Sequence, residues 1–297
     1  MFTEEFDVAN YADDCTAYEN KFTINEVITS LERDSICLLE WYRSNYLKPN
    51  LDKHHLLLNE VGENWVLKIA SDTIKNKREE KVLGVTFDNK LTFESHVTKL
   101  CNTASQKLHA LARISNLMSM EKRKIIMNAF ITSQFGYCPL IWMCHSRKLN
   151  TRINKIHERA LRIVFQDKTT SFNELLIKAG SVKIHHKNIQ VLATEIYKVY
   201  HNISPLVMSE VFPDRTTEYN LRGNPNLSTR NLHSVHYGTD SLSHLGPKIW
   251  NLVPNNIKDS ETLNIFKSKI KMWVPEKCPC RLCKTYIPGV GFIENII

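Results

Sequence analysis

Two adjacent carboxylates, Asp13 and Asp14, close the tetrapeptide Tyr11-Ala12-Asp13-Asp14 inside an apolar run from Phe2 to Tyr18. Apolar residues on both sides place the pair at the tip of a β-hairpin, with Phe6 and Val8 on one arm and Cys15 to Tyr18 on the other. Aspartate suits such a tip because its side chain bonds the local backbone. Two carboxylates held there can also grip a hard divalent cation such as Mg2+ through oxygen. In nucleotidyl transfer, two such ions about 3.5–4 Å apart activate the attacking oxygen and stabilise the leaving one. The competing reading is an ordinary solvated turn.

A second chemistry is electrostatic. At about 100° per residue, Leu149, Ile153, Ile156, Ala160, Ile163 and Val164 gather on one arc of a helix over 148–165. Arg152, Lys155, Arg159 and Arg162 gather on the neighbouring arc. One face can pack while a cationic stripe meets successive phosphates; the alternative is a solvated basic face. A third chemistry is thiolate. Cys278, Cys280 and Cys283 are compact enough for Zn2+, but a structural zinc site closes with four ligands. No His follows Cys283, so His244 or a folded-back cysteine would have to complete it; free thiols are the other reading. His54-His55, His157 and His185-His186 have no Ser or Cys nucleophile arrangement beside them and read as packed or surface histidines. Trp142 and Trp250 read as core anchors.

The elements that must position these residues follow from periodicity. Ile24, Val27, Ile28, Leu31, Leu38, Leu39 and Tyr42 define a long amphipathic helix that stops before Pro49. Strands are expected at His55–Asn59, Trp65–Ile69 and Val82–Phe87, with Ser71–Glu80 a charged, exposed loop. After Thr92, a cap, the pattern turns helical: Glu94–Met118, Met120–Phe135 capped by Ser119, Lys148–Phe165, Ser171–Ala179 and Val182–His201. Gly136, Pro139 and Gly180 interrupt it. Residues 204–254, rich in Pro, Gly, Asn and Ser, read as loops with a short strand near Leu232–Tyr237. A last helix runs from Glu261 to Trp273 with Ser260 as cap. The fold class is α+β, predominantly helical.

Composition narrows the partners. The 297 residues carry a formal net charge of +8 and are 42% hydrophobic. That supports a real core and an anionic partner, nucleic acid before membrane surface. No apolar run approaches the roughly 20 residues that span a bilayer. Eight cysteines, five of them scattered, read as reduced thiols of an intracellular protein. No signal-peptide pattern opens the chain, and no phosphate-cradling Gly-rich loop is present.

The order of motifs resembles the carboxyl-terminal half of a reverse transcriptase from a non-LTR retrotransposon of the jockey-like kind. The residues that carry it are Tyr11-Ala12-Asp13-Asp14, Trp41-Tyr42, Leu47 to Lys53, Val82 to Asp88 and Leu91 to His96. Beyond the polymerase, Tyr137 to Trp142, Asn154 to Arg162 and Cys278 to Cys283 look like the tail of such a frame. The resemblance implies Mg2+ at Asp13 and Asp14, with Asp13 the direct ligand and Tyr11 and Ala12 beside the primer end and nucleotide. It implies Lys53 near the departing pyrophosphate, where a cation neutralises charge or donates a proton. It implies Leu83-Gly84 in a hairpin holding the primer end, since glycine permits close backbone approach. A surface lysine and a tolerated strand glycine are the plain alternatives.

The same resemblance implies an RNA template, a DNA primer and target, and a ribonucleoprotein of nucleus and cytoplasm. It divides the chain into a partial palm over 1–91, a helical thumb and nucleic-acid-binding region over 92–203, and a loop-rich carboxyl-terminal region over 204–297. The family also needs a further metal-binding Asp, fingers and nucleotide-binding segments upstream of the hairpin. Only ten residues precede Tyr11, and Asp7 sits on the same hairpin. The expectation is a polymerase fragment that cannot extend a primer alone, or a non-catalytic RNA- or DNA-binding protein made from its thumb and tail.

Overall fold

Strand β1 (Asp7–Tyr11) pairs antiparallel with β2 (Asp14–Tyr18), and Tyr11 faces Asp14 at the closing pair. Ala12, which follows β1, takes a positive φ of 52°. Positive φ is what a tight hairpin turn demands, because its twist must match the strands. The computed structural model describes residues 7–12, 14–59, 62, 64–70, 72–212, 238, 241–287 and 291–294. Asp13 itself lies outside the described residues, as does the strand expected near Leu232–Tyr237.

The chain divides into two compact units, Met1–His96 and Val97–Ile297. In the first, helix α1 (Ile24–Ser44) starts at a capping box in which Thr23 and Glu26 satisfy each other's backbone N–H. It ends where Asn45 folds its amide onto the Trp41 carbonyl, ahead of Pro49. Its apolar residues Ile24, Val27, Ile28, Leu31 and Leu39 pack on Leu56, Leu58, Leu67 and Ile69. Leu67 and Ile69 belong to β3 (Val66–Ile69), which pairs with β4 (Asp72–Lys75). Buried Asn76 joins the layers, accepting from Leu58 N at 2.8 Å and donating to the Gly62 carbonyl at 3.0 Å.

Two strand expectations change here. The span 71–80 is not a loop: it contains β4 and the start of β5 (Glu79–Val82). The span 82–87 is not one strand, because the chain reverses at Leu83-Gly84 into β6 (Val85–Asp88). Leu83 and Gly84 both take positive φ, 47° and 87°, the signature of a primed hairpin turn. The charges that suggested a loop alternate along exposed strands, and the apolar run is two short arms. Among the described residues, His55–Asn59 forms one isolated bridge, Leu56 to Asn76, rather than a strand. Asp88 then gathers the N–H groups of Lys90, Thr92 and Phe93, and the Thr92 hydroxyl, before helix α2 (Glu94–Ile114).

In the second unit, α3 (Met120–Ile126) is capped by Ser119. It continues as a π turn over Met127–Ile131 and a 3-10 turn to Phe135, so the helix expected to Phe135 changes its winding. After Cys138, at a positive φ of 43°, comes the short α4 (Pro139–Trp142). Then follow α5 (Arg147–Phe165), α6 (Phe172–Ala179, with a Ser171–Glu174 capping box and Gly180 as left-handed cap) and α7 (Ile184–Tyr200). Helix α7 is the hub. Its Ile189, Leu192, Ala193, Ile196 and Tyr197 are all buried, packing with Trp250 and Phe266. Trp142 and Trp250 are indeed core residues.

The loops expected over 204–254 are partly helical: α8 (Leu206–Val211) and α9 (Leu242–Leu252). Gly246 and Pro247 disguised α9, yet both are buried within it. Packing outweighs helix propensity there, because Gly246 lets the Phe212 ring and Ile196 approach its backbone. A Cβ at 246 would collide with that ring. Gly246→Ala should destabilise this unit by about 1–3 kcal/mol, read as a lower urea midpoint in circular dichroism; an unchanged midpoint would mean the ring yields freely. After α10 (Asn255–Lys258), α11 (Leu263–Ile270) is capped by Thr262 rather than Ser260, and is shorter than expected at both ends. Ser260 instead offers its carbonyl to the Tyr197 hydroxyl at 2.6 Å. The strands β7 (Lys284–Ile287) and β8 (Gly291–Glu294) form a last hairpin. The described architecture is predominantly helical with small antiparallel sheets, as the α+β reading expected. Among the described residues, no helix is long and apolar enough to cross a membrane.

Candidate nucleic-acid interface and Cys-His cluster

Helix α5 sorts its residues as its periodicity requires. Leu149, Ile153, Ile156, His157, Ala160, Leu161 and Val164 are buried, although Ile163, expected on that face, is only partly so. The four cations of the stripe differ in what they do. Arg152 donates to Asn102 Oδ1 on α2 at 2.5 Å. Arg162 is paired with Glu158 one turn back at 2.7 Å. Lys155 and Arg159 are exposed, and the described residues provide neither with an ion pair. Lying four residues apart, they rise about 6 Å along one edge of the helix. The free part of the stripe is thus Lys155 and Arg159.

Sequence reasoning missed a second cationic feature. A cleft of about 570 Å³ is lined by Lys124, Lys187, Lys198, Lys267 and Lys271, with Glu195 as its acid. Glu195 is occupied by Lys198 at 2.8 Å. Burial, and then the Lys271 cation, lower the Lys187 pKa, so its ammonium sits where an anion would stabilise it. Gln190 fixes the wall by donating to the carbonyls of Lys271 and Trp273, at 3.0 and 2.8 Å. These lysines come from α3, α7, α11 and the residue that caps the end of α11, and share no run, so only folding collects them.

The residues assigned to catalysis stand at separate turns of the first unit. Tyr11, Ala12 and Asp14 are exposed at the tip of the first hairpin. Lys53 is exposed in a 3-10 turn over Leu51–Lys53, and Leu83-Gly84 turn the β5–β6 hairpin. Each hairpin is its own two-stranded sheet. Asp14 offers hard oxygen, which suits Mg2+. Among the described residues, however, it belongs to no group of three metal-ligating side chains.

Such a group does form at the other end of the chain. Cys278, Cys280 and Cys283 meet His185, and the four ligand atoms all lie within 4.8 Å of one another. His185 Nε2 is 3.0 Å from Cys280 Sγ. His185 sits in the first turn of α7, and the cysteines follow α11. Neither His244 nor a distant cysteine takes the fourth place. His185 was read as a packed histidine because it is 95 residues from Cys280, and sequence spacing cannot register that approach. Cys278 and Cys280 are buried in the core around α7. Hydrogen bonds from Cys278 and Cys280 pull the Cys283 pKa down to about 4, with the Lys183 and Arg147 cations adding to the effect. The same sulfur hydrogen bonds, with burial, push Cys278 up.

The chain is similar to a probable RNA-directed DNA polymerase from transposon BS of Drosophila melanogaster, 24% identical over 170 residues. The similarity takes in 53% of this chain and 18% of that polymerase, so the chain matches a minor part of its relative. No family model matches the chain, and no solved structure matches it.

Proposed function

We propose that this chain is part of a reverse transcriptase-related protein of a non-LTR retrotransposon and that its helical unit grips an RNA–DNA duplex by the phosphate backbone. The similarity to a transposon RNA-directed DNA polymerase carries the reading. The exposed Lys155 and Arg159 and the lysine-lined cleft support it, because phosphate contacts supply sequence-independent affinity. In this reading the first unit is palm-derived, and residues after it form a thumb and tail. Asp13 and Asp14 are oxygen ligands for Mg2+, which would stabilise charge on the transferring phosphoryl group. Lys53 and Leu83-Gly84 lie toward pyrophosphate and primer, and the partners are an RNA template and a DNA primer. A second reading, a non-catalytic RNA- or DNA-binding protein, is favoured because Asp14 belongs to no group of three metal-ligating side chains among the described residues.

Both readings require nucleic-acid binding, and the whole chain can be tested by fluorescence anisotropy on a labelled RNA–DNA hybrid and on single-stranded RNA and DNA. Lys155→Glu with Arg159→Glu should weaken binding about tenfold or more near 0.1 M salt, whatever the sequence. The slope of log affinity against log salt should flatten by about 2, one for each lost phosphate contact. Unchanged affinity and slope would remove α5 from the interface. A wild-type chain that fails to bind at low salt would overturn both readings.

A further inference from the structure

Three buried or half-buried thiols and a buried imidazole converge from two segments of the second unit, with their ligand atoms within 4.8 Å of one another. Buried cysteines alone are unremarkable packing residues. The histidine is what changes the reading. His185 is 4% exposed, its Nε2 faces the Cys280 sulfur, and its Nδ1 has no hydrogen-bond partner among the described residues. A buried imidazole normally satisfies both nitrogens with better partners than a thiol. Four such atoms are the donor set of a closed tetrahedral site of the Cys3His type. With Zn–S near 2.3 Å and Zn–N near 2.0 Å, the edges of that tetrahedron are about 3.5–3.8 Å, so small side-chain rotations close the cluster on one ion. Three thiolates and a neutral imidazole suit zinc over harder cations.

We propose that His185, Cys278, Cys280 and Cys283 bind one structural Zn2+ ion, which fastens the segment after α11 to the first turn of α7. Each thiol gives up its proton to solvent as its sulfur binds the metal, and His185 binds as the neutral ring through Nε2. The filled site carries a single net negative charge, and the cations of Lys183 and Arg147 act on it at Cys283. Arg147, the first residue of α5, also donates to the Arg281 carbonyl at 3.3 and 3.2 Å. The loop is therefore held from α5 and α7 together, and β7 begins at the next residue after Cys283. All four coordination positions come from protein, which makes the site structural rather than catalytic. The proposal is independent of nucleic-acid binding.

The test is metal analysis of the whole reduced chain, reconstituted with zinc and then freed of unbound metal. About one zinc per chain is expected, with most of it lost in Cys280→Ser and in His185→Ala, and retained in Cys37→Ser, whose thiol is exposed. His185→Cys keeps four ligands and should keep the ion. The Co2+-loaded chain should show thiolate-to-cobalt charge-transfer absorption that strengthens in His185→Cys. Should a variant fail to fold, alkylation of the wild-type chain decides: Cys278, Cys280 and Cys283 should resist until a chelator is added, while Cys15 and Cys37 react at once. A wild-type chain that takes up no zinc overturns the proposal. So does zinc kept by a variant with all three cysteines changed to serine, or protection of the thiols that a chelator leaves untouched.

Discussion

Arg123→Met should cost the helical unit about 3 kcal/mol or more of stability, and Arg123→Lys should recover little of it. Arg123 is only 6% exposed, and the partners that hold it are backbone carbonyls. Its Nε donates to Val164 O at 2.9 Å, and Nη1 donates to Ser115 O at 3.0 Å and Met118 O at 3.1 Å. Val164 lies in the last turn of α5, where carbonyls lack a helical partner and the helix dipole is negative. Ser115 and Met118 lie in the turn that joins α2 to α3. One planar fork thus ties the end of α2, the start of α3 and the end of α5. Methionine fills similar volume but leaves three carbonyls without their charged donor. Lysine can reach one carbonyl and presents no fork. The urea midpoint of each variant measures the loss. A shift worth less than about 0.5 kcal/mol, the range of ordinary surface changes, would show that water replaces the guanidinium.

What could be read in advance followed strength of pattern. Helices α5, α6 and α7 were legible because their apolar residues recur at helical spacing and because Ser171 and Gly180 punctuate them. The first hairpin was legible from Asp14 between apolar arms. The β5–β6 turn was hidden from local pattern, since Leu83 adopts a positive φ that its residue type disfavours, although the resemblance had implied a hairpin at Leu83-Gly84. Helix α9 was hidden because Gly246 and Pro247 break local propensity, and only the fit against Phe212 and Ile196 makes them helical. The cationic site was half legible. Periodicity found the four residues on α5, and the i,i+4 spacing of Glu158 and Arg162 is a local sign of their pairing, but nothing local says that Arg152 is engaged by Asn102. The cleft lysines and the His185 sulfur cluster arise from packing of distant segments, which one-dimensional spacing does not encode.

Acid should expose another consequence of burying polar groups around α5. His157 is 3% exposed, both ring nitrogens lack partners among the described residues, and the ring meets Phe172 edge-on at 5.7 Å. Burial, with the Lys187 cation adding to it, lowers its pKa to about 3. In the unfolded chain the ordinary value near 6.5 returns. Between those limits the unfolded state therefore holds one more proton than the folded state. The stability that depends on a neutral His157 is complete above about pH 6.5 and is lost as pH falls toward 3, at about 1.4 kcal/mol per unit. By pH 4 the loss is about 3 kcal/mol, a large part of what a domain has. His157→Phe removes the titration, so its stability should fall less steeply between pH 6 and 4, by about 1.4 kcal/mol per unit. Some acid sensitivity remains, because burial also lowers His145 and His186 to about 4. Urea midpoints of both proteins at several pH values give the two slopes. Equal slopes would mean that the folded chain solvates a charged His157, and that the α5–α6 contact opens to water.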